Sequence, residues 1–116
     1  MAISEAFAFS NTVSTTEFDL CNNSTTKSAQ TADGIYQLFL DLSTLTATES
    51  YRLRIYEKTQ SGDIQRVIDE TVISGAQTTE PIYVTSALLL MHGWTYTLTC
   101  LQGTPKVISW SIRQVA

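Results

Sequence analysis

Apolar and polar positions alternate with a period of two along most of this chain, and that spacing predicts β-strands rather than helices. In YRLRIYEK, Tyr51, Leu53 and Ile55 alternate with Arg52, Arg54 and Tyr56, so one face is buried and the other wet. Trp94, Tyr96, Leu98 and Cys100 alternate with Thr95, Thr97 and Thr99 in the same way, and Ile108, Trp110 and Ile112 alternate with Ser109, Ser111 and Arg113. IYQLFLDL places Tyr36, Leu38, Leu40 and Leu42 on one face, but its other face carries Ile35 and Phe39 and is also apolar. PIYVTS reads as a short strand with Pro81 at its start, and AFAFS and STTEFDL read as two short strands on either side of Asn11.

The connections support hairpins. Ser61, Gly62 and Asp63 supply turn residues between two strands, and Gly103 offers a positive φ in the QGTP turn, with Pro105 at the edge of the next strand. Residues 21–34, CNNSTTKSAQTADG, are polar and predict an exposed loop. SALLLMHG is too short for a stable helix and too apolar for an open loop, so a turn or single helical turn plugging one end is expected. The sum is an all-β chain, an antiparallel β-sandwich of about seven or eight strands, Ig-like or jelly-roll-like, with turns every 8 to 12 residues. Its 116 residues form one domain, 1–116, with a candidate N-terminal arm at residues 1–10.

Composition narrows the function classes. Charged residues are 16% of the chain, while Ser and Thr make up about a quarter, as strand-rich folds tend to show. A net charge of -4 argues against nucleic-acid binding, which needs a clustered basic face, and Arg52 with Arg54 is a weak basic spot. No apolar run approaches the roughly 20 residues of a membrane helix, and MAISEAFAF lacks the basic start of a targeting signal. A protein without membrane contact, remaining where it is made, is expected. Asn22 and Asn23 fit the glycosylation acceptor pattern, which carries no weight without a secretion signal.

Candidate chemistry is sparse. His92 is the only histidine; the nearest upstream acid is Glu80, and no nucleophile elbow occurs, so His92-Gly93 reads as the tight connection that aims Trp94 into the core. Asp69 and Glu70 are adjacent and would point to opposite faces of a strand, and Glu57 with Asp63 flanks a turn. The five glycines form no phosphate-binding loop. Cys21 and Cys100 predict buried free thiols, with a disulfide as the alternative, and one histidine is too few for a zinc site. No enzyme activity, metal or cofactor is expected. Trp94 and Trp110 could stack on sugars if exposed, but share their strand faces with Leu98, Ile108 and Ile112 and read as paired core residues on neighbouring strands.

What remains is surplus apolar surface. Phe7 and Phe9 lie near the N-terminus, and Ile35 and Phe39 occupy what should be a wet face. These four residues are the expected partner interface, in a homo-oligomer or against another protein. The competing explanation is a strand buried on both faces, or an N-terminal strand that closes the sandwich.

From YRLRIYEK through LLLMHGWTYTLTCLQGTPKVISWSIRQVA, about half the chain resembles a type of small virion structural protein of tailed bacteriophages. There an RLRxYEK-like strand, an LMHGW turn, a Gly-Thr hairpin and a terminal W-S-I-R-Q strand follow one another in this order. The resemblance implies a capsid decoration or cement protein that binds the major capsid protein or other virion proteins, assembles in the host cytoplasm and resides in the virion. It implies no catalytic residues. A tail-associated position, or a carbohydrate-binding module for adsorption, is the alternative.

Overall fold

The computed structural model describes residues 2–115. Nine strands follow one another, with no helix among the described residues: β1 (Ile3–Val13), β2 (Phe18–Asp19), β3 (Gly34–Asp41), β4 (Ser50–Glu57), β5 (Arg66–Ser74), β6 (Ile82–Val84), β7 (Leu88–Leu90), β8 (Thr95–Gln102) and β9 (Lys106–Val115). They form two antiparallel sheets. One runs β1-β9-β3, with β6 and β7 sharing the far edge of β3; the other runs β2-β8-β4-β5. The protein is therefore an all-β antiparallel sandwich.

The alternation written in β3, β4, β8 and β9 becomes the core. Tyr36, Leu38, Leu40 and Leu42 from the first sheet face Tyr51, Leu53, Ile55, Tyr96, Leu98 and Cys100 from the second, and all are buried. Removing each such side chain from water contributes roughly 1.5–3 kcal/mol, which is why these positions set the register. Tyr51 ties the sheets together, since its hydroxyl donates to the carbonyl of Val13 (3.0 Å) and accepts from the N–H of Lys106 (2.8 Å).

The two tryptophans do not form a pair on neighbouring strands, because they come from opposite sheets. Trp94, just ahead of β8, contacts Tyr36 at 4.2 Å between ring centroids and meets Phe7 and Tyr96 edge-on. Trp110, on β9, packs against Phe18 and Phe9 instead. Each indole N–H finds a loop carbonyl, Ala32 for Trp94 (3.0 Å) and Leu20 for Trp110 (2.8 Å), so each ring also anchors a turn.

Three further expectations change. The N-terminal strand is not interrupted at Asn11; β1 runs through it and pairs with β9 along its length, leaving only Phe18 and Asp19 for the second strand. Asn11 is tolerated because β1 is an edge strand, where its side chain can bond outward to Asn23 and to the N–H of Thr12. SALLLMHG forms no helical turn: Leu88–Leu90 is a strand paired with Gly34–Tyr36 of β3. Between β6 and β7 the hydroxyl of Thr85 accepts the N–H of Leu38 (3.0 Å) and its own N–H reaches the Leu38 carbonyl, so the β3 edge stays satisfied.

The supposedly wet threonines of β8 are buried as well. Thr95 donates to Asp19 and Thr97 to Glu17, both acids arriving from the β2 region. Burial alone would raise the pKa of Glu17, but hydrogen bonds from Thr97 and Tyr56, with Lys27 and Arg54 nearby, outweigh it and hold the carboxyl below its ordinary value. Lys27 sits over the Tyr56 ring at 4.1 Å, and Arg54 pairs with Glu70. The outside of this sheet is thus largely polar, although the Nε of Arg52 and the hydroxyl of Thr99 are buried there without a hydrogen-bond partner.

Candidate interaction surface

The outer face of the β1-β9-β3 sheet has a different character. Register alone brings Ile3, Val115, Ile35 and Leu89 side by side, one from each of β1, β9, β3 and β7. Ile3 is 68% exposed, Ile35 38% and Leu89 80%. A polar row follows, Glu5, Arg113 and Gln37, and then Ala8, Ser111, Phe39 and Val84, with Ile82 beyond. The Arg113 guanidinium lies 3.8 Å over the Phe39 ring, and its Nε donates to Ser111, whose hydroxyl donates to Glu5. An acid, a hydroxyl and a base are therefore threaded through an otherwise apolar surface. Between the rows lies a depression of about 170 Å³ lined by Ile3, Ile35, Phe39, Arg113 and Val115, among others.

The four residues expected at an interface divide between the two faces of this sheet. Ile35 and Phe39 share the outer face, as their position opposite Tyr36 and Leu40 requires. Phe7 and Phe9 point the other way, because β1 bulges between Glu5 and Phe7 and this shifts the alternation by one residue. Phe7 lies opposite Ile112 and packs on Trp94; Phe9 lies opposite Trp110 and closes the sandwich at its rim, where it stays 37% exposed. Of residues 1–10, Met1 lies outside the described residues, and from Ile3 onward the segment belongs to β1.

Sequence reasoning missed Ile3, Leu89, Val84 and Val115 as members of this surface. Leu89 was legible in principle: on a strand, the middle of three leucines must point opposite its neighbours. Leu90 is indeed buried and Leu89 is not.

A wider hollow of about 700 Å³ opens at the end of the sandwich, bounded by Ile35, Leu89 and Val115 on one side and by Glu57, Met91 and His92 on the other. His92 and Gly93 make the turn before Trp94, with Gly93 at φ +55° and the His92 carbonyl accepting the N–H of Lys58 (2.8 Å). Glu57 accepts the N–H of Met91 (2.9 Å), which occupies one of its oxygens with a loop backbone. Among the described residues no group of three or more His, Cys, Asp or Glu is placed to hold a metal ion. Cys21 and Cys100 are buried and free, and burial pushes the Cys21 thiol up to about 12, leaving it without thiolate at neutral pH.

The least foreseeable residue is Asp19. It is fully buried, and its two oxygens accept the N–H groups of Cys21, Asn22 and Ser28 and the hydroxyls of Ser28 and Thr95, at 2.6–2.9 Å. One carboxylate thus folds the 21–34 loop back onto β8. Gln65 completes the arrangement by donating to the carbonyls of Ser28 and Gly93.

No protein-family model matches the chain, and a search of the curated proteins returns no match.

Proposed function

We propose that this chain is a structural component of a tailed-phage virion, a capsid decoration or cement protein that docks on the shell through the outer face of the β1-β9-β3 sheet. The observation that carries the reading is the row of exposed Ile3, Ile35 and Leu89 with half-buried Val115, on a domain whose core forms without it. A face with this apolar row, opposite a sheet whose outer side carries charged and hydroxyl side chains, suits attachment on one side and solvent on the other. The resemblance of residues 51–116 to small virion proteins is what suggests the particular partner, the major capsid protein. Many copies on one particle would add avidity, so a modest contact per copy suffices. Trp94 and Trp110, 0% and 4% exposed, are unavailable as stacking platforms for sugars, which weighs against an adsorption module.

The test is co-sedimentation with shells assembled from the major capsid protein of the same phage. The intact chain is expected to bind, while Ile35→Asp and Leu89→Asp are expected to lose at least tenfold in affinity with unchanged melting temperature. Absence of binding to shells, or binding to tails alone, overturns the capsid assignment.

A further inference from the structure

The two sheets end in strands that differ in how well they are guarded against pairing with another chain. β2 has two residues and β6 and β7 three each, with Pro81 ahead of β6, so these edges are too short to template a partner. β5 is longer, but it bulges opposite Ile55 and Tyr56 and carries Arg66, Asp69 and Glu70. Charges and bulges of this kind are what keep edge strands from aggregating. β1 is the exception: eleven residues, no proline, and Glu5 as its single charge, with its bulge confined to the first half. Beyond the bulge, Phe7 to Ser10 is regular extended strand with one side open. The N–H of Thr12 is already taken by the side chain of Asn11 (2.8 Å), and this marks where the open stretch stops. The same N–H shows which residues face outward, since backbone groups alternate along a strand: Thr12, Ser10 and Ala8.

We infer that β1 pairs antiparallel with β1 of a second copy of this chain, about a two-fold axis at Ala8. An isologous strand pair must place like-facing residues opposite each other, so the axis falls on a residue. Centring on Ala8 sets Phe7 of one copy beside Phe9 of the other, twice over. Phe9, left 37% exposed at the rim of the sandwich, is then covered by a ring. Centring on Phe9 instead would set Phe7 against Asn11 and cover an amide with an apolar side chain. With the axis at Ala8, Glu5 lies against the neutral Ser10–Asn11 end of the second copy, away from its own counterpart. The small side chains of Ala8 and Ser10 keep the outer side of the junction flat, so the apolar outer faces of the two copies become one continuous surface. This inference concerns self-association alone and stands whether or not the partner of that surface is a capsid.

The experiment is sedimentation equilibrium of the full chain across a hundredfold range of concentration, alone and as Ala8→Lys and Val72→Lys. Ala8 is exposed, so the lysine is accommodated in the monomer but meets its own copy at the axis. Val72 is an exposed residue on the guarded edge. The expected result is a mass rising from 12.8 kDa toward twice that value for the intact chain and Val72→Lys, with Ala8→Lys remaining monomeric. A second variant, Ala8→Cys, is expected to form a disulfide-linked dimer on mild oxidation, since the two native thiols are buried. A chain that stays monomeric at every concentration overturns the inference. So does a dimer that Ala8→Lys leaves intact, because the contact would then lie elsewhere.

Discussion

Asp19 does more for this fold than any other single side chain outside the apolar core. Its five donors come from three separate stretches of chain, so Asp19→Ala would leave several buried N–H and O–H groups without an acceptor. Hydrogen bonds to a charged group contribute about 1.5–3 kcal/mol, and the loss should come to roughly 3 kcal/mol in urea denaturation. Early proteolysis within residues 21–34 should accompany it; an unchanged cleavage pattern would mean the loop is held by something else. Trp110 offers a comparison of opposite chemistry. Trp110→Ala should cost about 3–5 kcal/mol, the usual range for deleting a large buried aromatic, and an unchanged melting temperature would contradict its 4% exposure. Neither role is visible at the residue itself. The indole was readable because its neighbours Ile108 and Ile112 repeat with it, whereas the aspartate's partners Ser28 and Thr95 are far off in sequence and leave no local pattern.

Elements show the same division between what repeats and what does not. Strands β3, β4, β8 and β9 announce themselves through alternation sustained over six or seven residues. β7 does not, since three leucines in a row have no period, and β1 reads as two strands about Asn11 because an edge strand can hold a residue that interior strands exclude. The outer-face row was half legible for the same reason: Ile35 stood out against the alternation of β3, while Ile3 and Val115 gain meaning only from register. Turns carry their own constraints. Gly103 has φ +83°, and a Cβ there would lie 2.7 Å from the carbonyl oxygen of Thr48, which cannot move without its loop. Gly93 also has a positive φ, +55°, but its added Cβ would meet the flexible end of Lys58. Gly103→Ala should therefore cost about 1–3 kcal/mol and more than Gly93→Ala, measured side by side. The loop that Gly103 touches is held by Glu49, whose carboxylate accepts from the Thr48 hydroxyl and from the N–H and hydroxyl of Thr46. Glu49 is only 2% exposed, and the hydrogen bonds from Thr48 and Thr46, with Lys106 nearby, outweigh the upward push of burial and lower its pKa to about 2. A depressed folded-state pKa gives stability that is present above the ordinary value and lost as pH falls through the folded one. The melting temperatures of the intact chain and Glu49→Gln should accordingly differ above about pH 5 and converge toward about pH 2. A constant gap across that window would assign the effect to packing instead of charge.

At the scale of the whole molecule, the sandwich needs no cross-link. With Cys21 and Cys100 buried and unpaired, thermal unfolding should be the same with and without reducing agent, and a thiol reagent should label neither residue until the chain is denatured. A shift in melting temperature on reduction would refute the free-thiol state. One feature of the topology reaches beyond equilibrium altogether. β1, the strand with the unguarded edge, pairs among the described residues with β9, so every rung from Ile3 with Val115 to Val13 with Lys106 joins residues far apart in sequence. During synthesis β1 leaves the ribosome before β9, and it stays without its mate while all the strands between them are made. Contacts this distant make folding slow, on the order of milliseconds to seconds for sandwiches of this kind. In that interval the Phe7 and Phe9 rings are uncovered on one face of an unpaired strand, which makes the nascent chain, rather than the finished protein, the form in greatest need of a chaperone.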